Sequence, residues 1–130
     1  METSLLLPNN LNSLAIIYLQ LHEEDKAFAC LREGLEMACR FPGSTYKLKA
    51  LVAAARVWVL RSKPLQAAAW LGLVENHPHP AVQMVDINRD LQVARGECEA
   101  ALSPEQFTSA WEEGKTLDLD SVVAEVLSEL

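Results

Sequence analysis

Apolar residues recur at helical spacing in seven stretches of this chain, and the most continuous of them runs from Leu48 to Glu75. It reads as two apolar helices folded back on each other at Arg61–Pro64. Its small and large residues stand at Leu51, Ala54, Ala55, Trp58, Ala67, Leu71 and Val74. Shifted back by about 40 residues, a period that helical solenoids use, the same set falls on Leu11, Leu14, Ala15, Tyr18, Ala27, Leu31 and Gly34. Shifted forward by the same step it falls on Leu91, Ala94, Arg95, Cys98, Phe107, Trp111 and Gly114, with Arg95 where the other copies have Ala. The turns follow the same step, at His22, at Arg61–Lys63 and at Leu102–Ser103. Small residues let two helices approach, and Tyr18, Trp58, Leu31 and Leu71 fill the space beside them. A lone hairpin cannot bury its apolar face, so the copies must stack.

Start and stop signals place the helix ends. Asn9 or Asn10 caps the first helix, which runs to about Leu21. Glu23, Glu24 and Asp25 put acids at the positive end of the second, which stops near Phe41–Gly43. Ser44 caps the third and Arg61 closes it; Ser62 starts the fourth, with Pro64 tolerated in its first turn. Asn76-His77-Pro78-His79-Pro80 forbids continued helix and predicts a stiff connector. A fifth helix covers about 81–102. Ser103-Pro104-Glu105-Gln106 is a capping-box start for the sixth, and Gly114-Lys115 reads as its glycine stop. Asp118 or Thr116 caps a last amphipathic helix carrying Leu119, Val122, Val123, Val126 and Leu127, expected to cover the open end of the third hairpin. No strand-like alternation bounded by turns is present.

Composition narrows the function classes. Half of the 130 residues are hydrophobic, enough for a sizeable core, and the length fits one domain. The formal charge of -7 disfavours a general nucleic-acid or anionic-membrane surface, since both need clustered Lys and Arg. There is no membrane-length apolar run, and METSLLLPNN lacks the basic start of a signal peptide and breaks at Pro8. Cys30, Cys39 and Cys98 make an odd count, and Cys30 and Cys39 are separated by roughly 13 Å of helical rise, too far for a bridge. All three are read as buried, reduced thiols of a cytoplasmic protein.

The repeated spacing resembles the tetratricopeptide repeat (TPR), with a somewhat longer period. Ala67-Ala68, Gly72, Glu75, Arg89, Leu91, Ala94-Arg95, Leu102, Phe107, Ala110-Trp111, Gly114-Lys115, Leu117, Leu119 and Val122-Val123 are similar to something narrower. That is the TPR-like C-terminal region of large bacterial regulators, signal-transducing ATPases often carrying a LuxR-type DNA-binding or nucleotide-cyclase domain elsewhere. The resemblance covers about 67–123 and rests on packing residues. This chain departs from it in the short 76–80 connector and in having no nucleotide- or DNA-binding domain, so it is either part of a longer protein or a stand-alone relative. The fold expected is all-α. It is a right-handed stack of three antiparallel helical hairpins (about 9–41, 44–76 and 81–115) forming a TPR-like α-α superhelix, with a capping helix at about 118–130, all in one domain over 1–130.

Candidate chemistry is sparse. His77 and His79 offer two imidazoles with Glu75 nearby, but alternating side chains of a stiff loop point apart, and exposed loop histidines are expected instead. Glu97, Cys98 and Glu99 face different directions on one helix, and Cys98 has no His to activate it. Glu112-Glu113-Gly114-Lys115 lacks the rest of a phosphate loop. Trp58, Trp70 and Trp111 read as core, with Trp70, off the repeated set, a candidate for partial exposure. The sequence therefore predicts no catalytic site, metal or cofactor. In TPR-type stacks the first helix of each hairpin lines a groove, which here gives Asn9, Asn12, Ile16, Leu19 and Gln20, then Lys49, Val52, Arg56 and Val59, as candidates to hold a protein or peptide partner. Lys49 and Arg56 share a face and are candidates to pair an acidic partner, with ordinary solvated charges the reading expected. Leu5, Leu6, Leu7, Phe28 and Leu35 are expected to be exposed at the N-terminal end, for upstream domains or a second copy. The expected function is a non-enzymatic interaction or scaffold module, the C-terminal regulatory part of a bacterial signalling or transcription regulator. The alternatives are a regulator touching DNA directly, which the charge opposes, and a stand-alone homodimeric adaptor.

Overall fold

The structure, a computed structural model, describes residues 8–41, 43–78 and 85–130, without the side chains of residues 8–10, 85 and 86. Leu5–Leu7, His79 and the side chain of Asn9 lie outside the described residues. Among the described residues there are seven helices and no strand: α1 (Pro8–Gln20), α2 (Glu24–Arg40), α3 (Thr45–Leu60), α4 (Pro64–Asn76), α5 (Val85–Ala101), α6 (Pro104–Gly114) and α7 (Leu119–Glu129). None of them is long and apolar enough to cross a membrane.

The first two turns are built alike. His22 and Ser62 hold left-handed backbone, with φ of 63° and 64°. The amide of Glu23 donates to the Tyr18 carbonyl at 2.9 Å and that of Lys63 to Trp58 at 2.8 Å. The amides of His22 and Ser62 donate to Leu19 and Val59, each at 3.0 Å. This is the Schellman arrangement, which ties up the last carbonyls of α1 and α3 and reverses the chain. Ser62 is thus a turn residue and not the start of α4, whose first residue is Pro64, preceded by Lys63. Trp58 shows the reversal directly: its indole N–H donates to Gln66 Oε1 at 3.2 Å, and its ring lies 5.0 Å from that of Trp70. Arg61 closes α3 and lays its guanidinium 4.5 Å from the Phe28 ring centre and 5.3 Å from that of Trp58.

The third turn differs. Ser103 is extended and forms the capping box that its sequence predicts, with reciprocal bonds to Gln106 at 3.0 and 3.2 Å. No left-handed residue follows α5. The helix pair opens, and α6 packs chiefly on α4, touching α5 little. Arg95 spans the gap, its guanidinium 5.5 Å from the Phe107 ring centre and 4.8 Å from that of Trp111. Gly114 is not a conformational stop: its backbone is helical, and a Cβ there would strike the Ala69 carbonyl. A Cβ at Gly72 would likewise strike the Trp111 carbonyl. The two glycines let α4 and α6 cross at backbone contact.

Three further expectations are corrected. Ser44 stands before α3 and its carbonyl accepts the Leu48 amide at 2.9 Å, but its side chain caps nothing, its backbone being already near-helical, with ψ at -3°. α7 packs back onto α3 and α2 instead of covering α5–α6. The ammonium of Lys47 on α3 lies 3.0 Å from Asp120, and the Gln66 amide of α4 reaches Glu125. Leu35, expected at an exposed end, lies on the same buried stripe of α2 as Ala27, Leu31 and Ala38 and is fully buried, and Phe28 is half-buried. Asp118 caps α7, and the Ser121 amide, then its hydroxyl, donate to the carboxylate and hold it below its ordinary range.

α3 is the centre of the molecule. It touches α1, α2, α4, α5 and α7, and nine of its sixteen residues are buried, which is why its apolar character is nearly continuous. α5 buries only the stripe Ile87, Leu91, Ala94 and Cys98, and its other described side chains are half-buried or exposed.

Candidate functional site

α1, α3 and α5 lie side by side, α1 on α3 and α3 on α5. Their shared face carries a groove of about 230 Å³ lined by Asn12, Ser13 and Ile16, by Lys49, Val52, Ala53 and Arg56, and by Arg89 and Asp90. Positions 49, 52, 53 and 56 are one stripe of α3, and 12, 13 and 16 the matching stripe of α1. The floor is apolar and the rim charged.

Five predicted groove residues meet here: Asn12, Ile16, Lys49, Val52 and Arg56. The others do not. Leu19 is turned into the core at 7% exposure and Val59 packs against it half-buried, because the last turn of each helix is drawn under the Schellman turn. Gln20 is exposed and lines a separate open cleft of about 780 Å³ at the α1–α2 turn, with Leu60 across it. Arg89 and Asp90 were not predicted, although the repeat contained the signal: Arg89 stands 40 positions after Lys49.

The electrostatics depart from expectation at Arg56. Its Nε donates to Glu97 Oε1 at 2.8 Å and its Nη2 to Oε2 at 3.5 Å, both side chains being partly buried. The guanidinium therefore joins α3 to α5 and is not left for an acidic partner. The Lys49 ammonium leans toward the Tyr46 ring, 5.8 Å from its centre. Arg89 Nε lies 3.6 Å from Asp90. Asn12 is the unusual member. It is 94% buried, and its Oδ1 has no hydrogen-bond partner among the described residues. A buried amide oxygen left unpaired costs about 1–3 kcal/mol, so it is a ready acceptor for any donor that enters the groove.

Nothing similar surrounds the reactive side chains. Burial, then the neighbouring Glu97 and Glu99 charges, push the Cys98 thiol up to about 12. Burial also raises Cys30, which is half-buried. Cys39, read as buried, is exposed near the end of α2. Glu75 reaches Arg95 at 3.8 Å. Among the described residues no three His, Cys, Asp or Glu side chains come together to hold a metal ion. Trp70, a candidate for exposure, is buried at 2%.

Comparison with family models, with curated proteins and with solved structures found no match for the chain.

Proposed function

We propose that the protein is a non-catalytic helical-repeat interaction module that takes a peptide or helical segment of a partner protein into the α1/α3/α5 groove. The observation that carries this reading is the orphaned Asn12 amide oxygen inside an apolar groove with a charged rim. A backbone or side-chain N–H of a bound segment would satisfy it, and Ile16, Val52 and Ala53 would take an apolar side chain beside it. The recurrence of one turn at His22 and Ser62, and the side-by-side α1, α3 and α5, favour a TPR-like stacking of the first two hairpins. The wider context, the C-terminal part of a cytoplasmic bacterial regulator, rests on the resemblance over 67–123. Its residues Gly72, Trp111 and Gly114 are those of the α4–α6 crossing.

Display of random peptides on the intact protein, followed by amide chemical-shift mapping of the selected sequences, tests the groove. Shifts centred on Asn12, Lys49, Val52 and Arg89, with affinity lost in Asn12→Leu, are expected. Selected peptides that map elsewhere, or that bind Asn12→Leu equally well, would refute it.

A further inference from the structure

A second surface shares no residue with the groove. α4, α6 and α7 enclose a cleft of about 560 Å³. Its floor is Ala69, Trp70 and Ala110, and two large apolar side chains stand open at it, Leu65 at 51% and Leu117 at 37% exposure. Its charged residues are all acids, Glu105, Glu113 and Glu125, and no Lys or Arg lines it.

Several carboxylates elsewhere find cations, Glu97 with Arg56, Glu75 with Arg95, Asp120 with Lys47 and Glu112 with Lys115. The exposed acids of α2 at Glu24, Asp25 and Glu36 have no ion pair among the described residues, but the cleft that Glu24 and Asp25 line also holds Lys26. The carboxylates of Glu105 and Glu113 have no ion-pair partner among the described residues, and the carboxylate of Glu125 accepts only the Gln66 amide, at 3.4 Å. Uncompensated negative charge is thus gathered around exposed leucines.

We propose that this cleft docks a basic amphipathic helix, one with a leucine-like stripe flanked by Lys or Arg. Leu65, Leu117 and the Trp70 floor receive the stripe. Glu105 and Glu113, eight residues apart on α6, span roughly 12 Å of rise, which matches cations two turns apart on a docked helix. The acidic rim repels nucleic acid and anionic membrane, and it sets partner choice more than affinity.

The test uses two labelled synthetic helices and fluorescence anisotropy on the whole chain. One has leucine at every third or fourth position and lysine elsewhere; the other has glutamate for each lysine. The lysine peptide binds and the glutamate peptide does not. The triple variant Glu105→Gln, Glu113→Gln, Glu125→Gln weakens binding about tenfold, the sum of three exposed charge pairs. The control variant Glu24→Gln, Asp25→Asn, Glu36→Gln, which removes as much negative charge from exposed parts of α2, leaves it within about twofold. Neither variant disturbs the core, and circular dichroism checks each. An equal loss in the control would mean general attraction to an acidic chain and overturn the proposal. So would equal binding of both peptides, binding of neither, or a dimer in sedimentation that Leu65→Ser dissolves, which would make the occupant a second copy.

Discussion

The two ends of the repeat use the same residue spacing and build different objects. After α1 and after α3 the chain turns through a left-handed residue, and the next helix lies back along the one before it. After α5 it turns through an extended Ser103, and α6 leaves α5 for α4. Apart from Arg95 the repeated positions match in all three copies; the turn does not. Periodicity thus decides which face of a helix is buried, whereas the few backbone angles at its end decide against what. The freed α6 needed a new contact, and it obtained one at Gly72 and Gly114, where two backbones touch without side chains between them.

The sharpest way to break this contrast is to place a methyl group at that crossing. Gly114→Ala sets a Cβ against the Ala69 carbonyl, a rigid backbone atom that cannot swing aside. The expected loss is about 1–3 kcal/mol, as for overpacking in a core, read as a lower urea midpoint. Gly96→Ala supplies the opposite case on α5, where a Cβ meets nothing within 4 Å. There the gain in helix propensity and the loss of unfolded freedom stabilise by about 0.5–1 kcal/mol. Two identical substitutions with opposite signs separate the crossing from ordinary helix. A neutral Gly114→Ala would show that α6 is not held at backbone contact.

A smaller effect tests the turns. His22 and Ser62 are non-glycine residues in left-handed backbone, a conformation that costs an L-residue roughly 1–2 kcal/mol. His22→Gly and Ser62→Gly relieve that cost but free the unfolded chain, for a net gain of about 0.5 kcal/mol each. Leu102→Gly, at the third turn, has no such strain to relieve and removes a half-buried side chain that packs on the core, so it destabilises. Thermal midpoints of the three variants rank the turns, and a rise for Leu102→Gly would erase the distinction between them.

Much of this was legible in the residues. The helical class, the capping box at Ser103, the cap at Asp118 and the apolar stripe of every described helix follow from spacing and local chemistry. Five of the nine groove candidates came together because they lie on equivalent stripes of α1 and α3. What stayed hidden depended on long-range packing. Gly114 reads as a stop in the sequence because glycine serves both turns and close approaches, and only its neighbour tells which. α7 is amphipathic wherever it docks, so its stripe could not tell the α2–α3 side from the α5–α6 end. Arg56 looked free because its acid, Glu97, is 41 positions away on the next copy.

That ion pair gives the smallest prediction. α5 is attached to α3 by one apolar stripe and by the Arg56–Glu97 bond at 2.8 Å. Both side chains keep contact with water, at 23% and 31% exposure, so screening discounts the attraction and the coupling expected is only about 0.5 kcal/mol. A double-mutant cycle of Arg56→Met and Glu97→Gln measures it apart from the lost packing of the arginine stem. High salt should shrink the coupling while leaving the single-variant packing loss in place. A coupling near zero would mean that the ion pair adds nothing to the apolar stripe in joining α5 to α3. Arg56 would then be available to the groove after all, and Arg56→Met would weaken peptide binding there more than it weakens the fold.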